Sequence, residues 1–377
     1  MTDLARPRLT AVVLSYNGMS HLPGCLDSIA AQTLDSFQLI VVDNGSTDGS
    51  ADYVQQHHPT ARLIRLTGNT GFCKGMNVGA QSADAELVLL LNQDITIHPD
   101  CFRQLLETWD EPPEDCLDDR AGVVPPRLVL GVFPKIMFYD APNVINAFGV
   151  DWFSETHWRD YRVGLPDAPD LDRSETVFGS IFPAVMFHRQ RFLDMGAFDE
   201  LFWSYCEDFD VCYRGNILGY RFITSPKAMI HHKYRASSTD KSDPLRSRFW
   251  FIRNYLLVFL KNYRLGLLMK HGRQIYRRYL GNALTIAKRN GNAPEVKMYR
   301  RILLSLLKHS PRILMRRVWV QKRRVIQDEV LWRDTSPIED FNIFHVEDCP
   351  VLSLLSMRYA KGKVDSYDKD GVEFRVR

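Results

Sequence analysis

The sequence predicts an α/β fold, a mostly parallel central sheet with helices on both faces, followed by a C-terminal helical extension. Three observations carry this. The first ninety residues alternate compact aliphatic runs with amphipathic helical patterns. Those runs lack period-2 alternation, the mark of strands buried on both faces. From Pro244 the composition shifts to long, basic, amphipathic stretches.

The elements follow in order. Leu9–Ser15 (LTAVVLS) is a β-branched strand, and Ser20–Ala31 a helix with Leu22, Leu26 and Ile29 on one face. Phe37–Val42 is a strand that stops at the turn Asp43-Asn44-Gly45. Ser50–His57 reads as helix, Ala61–Leu66 as strand, Lys74–Ala83 as helix and Glu86–Leu91 as strand. Further on, Gly179–Phe187 reads as strand and His188–Met195 as a short helix. Arg221–Ser225 and Ala228–Ile230 read as two strands. Leu245–Tyr263, Leu265–Lys288 and Pro294–Lys308 read as long helices, and the tail beyond Trp332 has only weak periodicity.

The chain has 377 residues, 45% hydrophobic and 25% charged, with a net charge of +3. That is an ordinary globular composition, too balanced to argue for nucleic acid. Seven cysteines are scattered without a CxxC pair, which speaks against a disulfide framework or zinc knuckle and for a reducing cytosol. Neither a secretory h-region nor an apolar run of roughly 18 residues is present, so a cytoplasmic location, at most at the inner face of the membrane, is expected.

In a doubly covered parallel sheet, ligands bind beyond the carboxyl ends of the strands. Those ends carry Ser15-Tyr16-Asn17, Asp43-Asn44-Gly45-Ser46, Gly68-Asn69-Thr70-Gly71 and Asn92-Gln93-Asp94. Asp43 can accept from a base or ribose, while Asp48 and Ser50 read more simply as helix caps. Asp94, at the rim of a buried strand, wants a partner, and a divalent cation on two phosphates is a natural one. Its structural alternative is a cap for a helix near Pro99. Tyr205-Cys206-Glu207-Asp208-Phe209-Asp210 crowds three carboxylates, which raises the proton affinity of one and fits a general base. Acid-rich capping of a helix start competes with that reading. Phe202, Trp203 and Tyr205 add flat aromatic faces suited to a sugar. His231-His232 follows a strand and could complete a metal site with Asp94. Oxygen-rich ligation with one imidazole fits Mg²⁺ or Mn²⁺ better than zinc.

In order and spacing these segments resemble the family 2 glycosyltransferases, in particular their rhamnosyltransferase-like and galactofuranosyltransferase-like branch. AVVLSYNG, IVVDNGSTDGS, NTGFCKGMNVG and LVLLLNQDI are similar to the nucleotide-binding half. FPAVMFHRQRFLDMGAFDELFWSYCEDFDVCYRGNILGYRF and AMIHHKYRASS are similar to the acceptor half and the metal-histidine segment. The resemblance covers about residues 9 to 262. It implies a GT-A (Rossmann-like) catalytic domain over residues 1–242, divided into a nucleotide-sugar half (1–98) and an acceptor half (99–242). Residues 243–377 form the basic helical region and tail. It implies that Asp43 holds the nucleoside, that Ser15, Asn17, Asn69, Asn77 and Asn92 help line the donor pocket, and that Lys74 reaches a phosphate. Asp94 and His232 would hold the Mg²⁺ or Mn²⁺ ion, with His231 the alternative. Asp208 would be the catalytic base and Glu207 its orienting partner. Gln93 departs from the proline more usual there and reads as a change of loop stiffness.

The implied function is inverting, metal-dependent sugar transfer from a nucleotide-sugar donor, dTDP-rhamnose or a UDP-sugar, to a glycan or lipid-linked glycan acceptor in cell-surface polysaccharide synthesis. A sugar nucleotidyltransferase would want a Gly-rich phosphate loop after the first strand, and Ser15-Tyr16-Asn17-Gly18 supplies none. A non-catalytic scaffold would not need Asp94, Glu207 and Asp208 together. Peripheral membrane contact through the basic C-terminal helices balances evenly against a merely solvated face. Nucleic acid is not expected as a partner, and a homo-oligomer is compatible with the sequence.

Overall fold

The computed structural model describes residues 7–114, 128–154, 157–159, 162–233, 244–291 and 293–333. Its first half follows the expected order: β1 (Leu9–Ser15), α1 (Leu22–Ala30), β2 (Gln38–Asp43), α2 (Ser50–His57), β3 (Arg62–Arg65), α3 (Phe72–Ser82) and β4 (Leu87–Asn92). β1 pairs in parallel with β2 and β4, and β2 with β3. Every residue of β1 is buried because alternate side chains enter two different cores. Leu9, Ala11 and Val13 pack with α1 and with α4 (Cys101–Asp110), while Val12 and Leu14 pack toward α3. β3, by contrast, is an edge strand with both arginines exposed.

The second half makes the sheet mixed. β5 (Ile95–Ile97) follows β4 directly, and β6 (Leu128–Phe138) and β7 (Ala141–Ala147) form a hairpin that was not expected. β8 (Asp151–Ser154) and β9 (His157–Arg159) make a separate pair, and β10 (Thr176–Val177) caps the sheet edge. β11 (Ala184–His188) runs antiparallel to both β4 and β6. The strand expected from Gly179 therefore starts only at Ala184, and residues 179–183 cross the carboxyl end of β4 as a loop. There the Asn92 amide donates to the Pro183 carbonyl at 2.8 Å. β12 (Tyr220–His232) is one strand, not two. It stays paired with β6 across a register shift between Ser225 and Met229, where Pro226 removes a donor.

Helices α5 (Arg189–Asp194) and α6 (Glu207–Ile217) precede β12. After the expected domain boundary at 242/243, which lies outside the described residues, comes α7 (Pro244–Asn262). The predicted helix Leu265–Lys288 breaks at Leu280 into α8 (Leu265–Tyr279) and α9 (Gly281–Arg289). α10 (Pro294–Lys308), the unexpected α11 (Ser310–Arg323) and α12 (Asp328–Arg333) complete the described chain. The tail expected to have weak periodicity, residues 334–377, lies outside the described residues, as do Cys116 and Cys349. The five described cysteines are free and buried. Among the described residues no helix is long and apolar enough to cross a membrane.

α7 joins the α/β body through buried charge. Lys261, itself buried, donates to Asp199 at 3.0 Å and to Asp210 at 2.7 Å. Asn262 donates to Asp210 at 2.8 Å, and Arg214 pairs with the same carboxylate from within α6. Burial alone would push Asp199 up, but the Lys261 ammonium holds its carboxyl well below the usual carboxylate range. Around this network Phe209 and Tyr213 of α6 meet Tyr255, Phe259 and Tyr263 of α7. Removing one partner of such a pair strands the other charge out of water. Lys261→Ala is expected to lower unfolding free energy by about 3–5 kcal/mol, measured by urea unfolding.

Candidate active site

The loops at the carboxyl ends of β1, β2 and β4 are laced together by side chains. Gln93, 7% exposed, accepts from Ser15 Oγ at 2.9 Å and from the Tyr16 amide at 3.0 Å, and donates back to the Tyr16 carbonyl at 3.1 Å. Gln93 is therefore a clamp between two strand ends, which corrects its reading as a change of loop stiffness: a primary amide has both a donor and an acceptor to spend, and a proline has neither. Ser15, expected to line the donor pocket, is fully buried and spends its hydroxyl proton on this clamp. Asn17, with φ at 46°, accepts from the Thr47 amide at 2.8 Å while its own amide donates to Ser46 Oγ. Asp48 accepts from the Met19 and Ser50 amides, while the N-cap position expected of it is held by Gly49, so Asp48 ties the β1 and β2 ends together from one residue before the cap. Asp43 is buried and accepts from the Ser46 amide at 3.2 Å. Gly45, at φ 78°, lies against the backbone of Gly68, where any Cβ would be 2.4 Å from Gly68 Cα.

The β3–α3 connection completes this rim. Asn69 accepts from the Gly71 amide at 2.9 Å, and Asn44 ties Thr70 and Gly71 to the β2 end. Lys74 is exposed in the first turn of α3. Asn77 is a correction. Expected in the donor pocket, it is buried, and both ends of its amide are spent on the backbone of Phe198, at 2.9 and 3.0 Å. It pins α3 to the segment leading into the acidic motif.

Asp94 and His232 meet. β5 pairs antiparallel with β12, so Ile95 lies opposite His232, and the Lys233 amide donates to the Asp94 carbonyl at 2.9 Å. His232 Nε2 stands 3.7 Å from Asp94 Oδ1. That is long for a hydrogen bond and suits two ligands of one cation. His232 Nδ1 lies 3.0 Å from Asn146 Oδ1, which fixes the proton on Nδ1 and leaves the Nε2 lone pair toward Asp94. Burial holds His232 below its usual range, against the pull of Asp94. His231 lies on the opposite face of β12 by strand alternation, so of the doublet it is His232 that stands beside Asp94. No group of three or more acidic, His or Cys side chains that could hold a metal ion occurs among the described residues.

The acidic motif opens α6. Leading into it, Trp203, Tyr205 and Cys206 have φ of 63°, 72° and 62°, a run that L-residues adopt only under constraint. The constraint is Asn254 of α7, fully buried, whose amide nitrogen donates to the carbonyls of Phe202, Ser204 and Tyr205 at 2.9, 2.8 and 2.7 Å. Arg253 donates to Asn254 Oδ1 at 2.8 Å and to the Leu201 carbonyl, which orients that amide. The Cys73 amide donates to the Trp203 carbonyl, and the Trp203 ring covers Gly71, where a Cβ would sit 2.5 Å away. Ser180, whose carbonyl faces Cys212 of α6, lies in the loop that crosses β4. Through these contacts the acidic motif reaches the same end of the sheet as Asp43, Asn69 and Asn92.

Burial pushes Glu207 up to about 8, with the Asp208 charge adding to it, and burial pushes Asp208 up to about 6 against two backbone hydrogen bonds. Glu207 Oε2, Asn92 Oδ1 and Ser180 Oγ are buried polar atoms with no hydrogen-bond partner among the described residues. Three such atoms at one end of a sheet mark a place built for a polar ligand. Asp210, the third carboxylate of the motif, is spent on Lys261 and Arg214. Phe202, expected to face a sugar, is buried under Lys261, while Trp203 and Tyr205 are half-buried and the Trp203 ring stacks on Trp250 with centroids 5.2 Å apart.

Residues 10–131 match the profile of Glycosyl transferase family 2. Over those residues the chain carries a domain of that family. This glycosyltransferase is 26% identical over 266 residues to the N-acetylglucosaminyl-diphospho-decaprenol L-rhamnosyltransferase of Mycobacterium tuberculosis (strain ATCC 25618 / H37Rv), a match covering 65% of this chain and 81% of that relative. Over 98 residues it is 33% identical to a PGL/p-HBAD biosynthesis glycosyltransferase of Mycobacterium bovis (strain BCG / Pasteur 1173P2), covering 25% of this chain and 38% of the other. In fold it is similar to a crystal structure of GalNAc-T7 with UDP, GalNAc and Mn²⁺, with a TM-score of 0.54 at 16% identity, over 73% of this chain and 50% of that one. The α/β GT-A fold with added C-terminal helices is thus established, and the enzyme performs glycan-building sugar transfer.

Sequence reasoning missed Asn146, Ser180, Trp250 and Asn254 in the transferase. Each lies in a segment whose pattern is ordinary, and each matters through a partner far along the chain. Two outcomes are expected. Asn254→Asp cannot donate to the three loop carbonyls and should lower kcat by roughly 10–100-fold while leaving nucleotide affinity, read by calorimetry, unchanged. Glu207 has a raised folded-state value, so the native state holds its proton where the unfolded chain has lost it, and stability falls as pH rises toward 8. Glu207→Gln should therefore raise the thermal unfolding midpoint at pH 8, and the gain should vanish below the ordinary glutamate range.

Proposed function

We propose that the protein is an inverting, metal-dependent transferase that moves a sugar from a nucleotide diphosphate, dTDP-rhamnose first and a UDP-sugar second, to a hydroxyl of a lipid-linked glycan. The observation that carries this reading is the pairing of two unlike sites at one end of the sheet: Asp94 with His232, and Glu207 with Asp208. The name of the mycobacterial relative, a rhamnosyltransferase of a decaprenyl-linked sugar, supports the choice of donor and acceptor. A cytoplasmic location at the inner membrane face follows from such an acceptor.

Asp43 and the Asn69–Gly71 turn hold the nucleoside end, and Lys74 faces the phosphates. Asp94 and the Nε2 of His232 would hold Mg²⁺ or Mn²⁺, the cation present with UDP in the GalNAc-T7 structure being Mn²⁺. A cation bound there supplies positive charge against the diphosphate as it leaves. Asp208, ionised above about 6, takes the proton of the acceptor hydroxyl. The hydroxyl oxygen bonds to the anomeric carbon as the carbon–phosphate-oxygen bond breaks on the opposite face, and the diphosphate departs with that electron pair. One displacement inverts the centre. Glu207, holding its proton at neutral pH, donates to the acceptor or to Asp208 and keeps the two carboxyls from repelling. Trp203 offers its face to the sugar.

The decisive experiment is a panel of dTDP- and UDP-sugars with a prenyl-diphosphate-linked acceptor, with Mn²⁺, with Mg²⁺ and with EDTA, scored for nucleotide release and for anomeric configuration by NMR. Turnover should need the cation and should invert the configuration. Asp208→Asn should lower kcat by about 10³-fold or more with nucleotide binding intact. In the wild type kcat should rise with pH through about 6, since the base acts ionised. Retained configuration, or near-normal turnover of Asp208→Asn, would sink the assignment.

A further inference from the structure

The C-terminal helices are charged in one sense only. From Pro244 to Gln327 the sequence has 21 Lys and Arg and a single acid, Glu295, while the rest of the chain has 27 Lys and Arg against 44 Asp and Glu. The overall balance hides a strongly polarised molecule. The same segment holds 12 of the 15 exposed large hydrophobic residues found among the described residues. Among the described residues Lys261 and Arg316 reach Asp199, Lys261 also reaches Asp210, and Arg324 pairs with Asp328.

Folding accounts for only one side of these helices. α10 buries Val296, Tyr299 and Ile302, and α11 buries Ile313 and Val320, both packing toward α7. On the outside, α10 carries Leu304 and Leu307, 65% and 70% exposed, and α11 carries Leu314 and Met315, 60% and 63% exposed. Arg300, Arg301, Lys308 and Arg312 are exposed among them. A helix needs one apolar stripe to pack, and a second, outward stripe serves something else. Apolar side chains between cations are what the headgroup boundary of an anionic bilayer accepts: methylenes enter the acyl edge and guanidinium groups meet lipid phosphates. Two copies of so basic a face repel each other, and a nucleic-acid backbone gives leucine nothing to bury in.

We propose that the outer face of α10 and α11 docks the enzyme on an anionic membrane surface. α7 ties this face to the active site, since Trp250 stacks on Trp203 and Arg246 lies 5.9 Å from that ring. The proposal rests on the transferase reading only for its use, because a lipid-linked acceptor would arrive from that surface. Its test reads binding, not turnover, so the two can fail separately.

The full chain is mixed with vesicles of phosphatidylcholine alone or with phosphatidylglycerol, sedimented, and compared with the triple variant Leu304→Ser, Leu307→Ser, Met315→Ser. Wild type should pellet with the anionic vesicles only, and binding should weaken as NaCl rises. The triple variant should lose about tenfold or more in vesicle affinity while its thermal midpoint and UDP and dTDP binding stay unchanged. Equal pelleting with both lipids, no loss in the triple variant, a concentration-dependent dimer abolished by it, or displacement from vesicles by duplex DNA at equal phosphate would each overturn the proposal.

Discussion

The active end of this transferase depends on one buried contact: a single amide, Asn254, bonded to three backbone carbonyls of the loop before the acidic motif. Three residues of that loop sit at positive φ, a conformation that costs of order 1–3 kcal/mol apiece and persists only when its surroundings enforce it. The enforcing helix is itself fixed by Lys261 between two buried carboxylates. Remove that charge network and α7 loses its seat; remove the seat and the loop has no reason to present Glu207 and Asp208 to the cleft. The C-terminal region thus braces the acidic motif, held by electrostatics in a low-dielectric interior where geometry is tightly specified.

The donor side is organised by the same economy of side chains. Gln93, Asn17, Asp48 and Asn44 each bridge two loops, so the β1, β2, β3 and β4 ends form one hydrogen-bonded rim. Polar residues at strand ends do two jobs in such a sheet, some facing a ligand and others holding the ligand-facing ones in place. Ser15, Asn17 and Asn77 belong to the second kind. Asp94 with His232 and Asn146 shows both kinds in one line: a carboxylate, an imidazole, and an amide that holds the imidazole ring in place.

Charge is divided between the two ends of the chain. The α/β body is acidic on balance and carries Asp94, Glu207 and Asp208, and the helices that brace it are almost purely basic. A brace that doubles as a membrane-facing surface would bring the acceptor, the acid loop and the lipid phosphates into one neighbourhood.

By itself the sequence determined the order of elements through β4, since aliphatic runs and helical periodicity are local properties. It also marked the acidic motif and Asp94 as candidate site residues, because carboxylates at buried strand ends and helix starts are legible without coordinates. Tertiary structure alone decided the rest. It joined β6 and β7 to the sheet, merged the two strands before His232 across the Pro226 bulge, and set His232, not His231, beside Asp94 through strand alternation. It also withdrew Asn77, Phe202 and Asp210 from the ligand side by burying them against partners more than forty residues away. A residue's type is written in the chain, but whether its polar atoms are already spent depends on what the fold brings beside it.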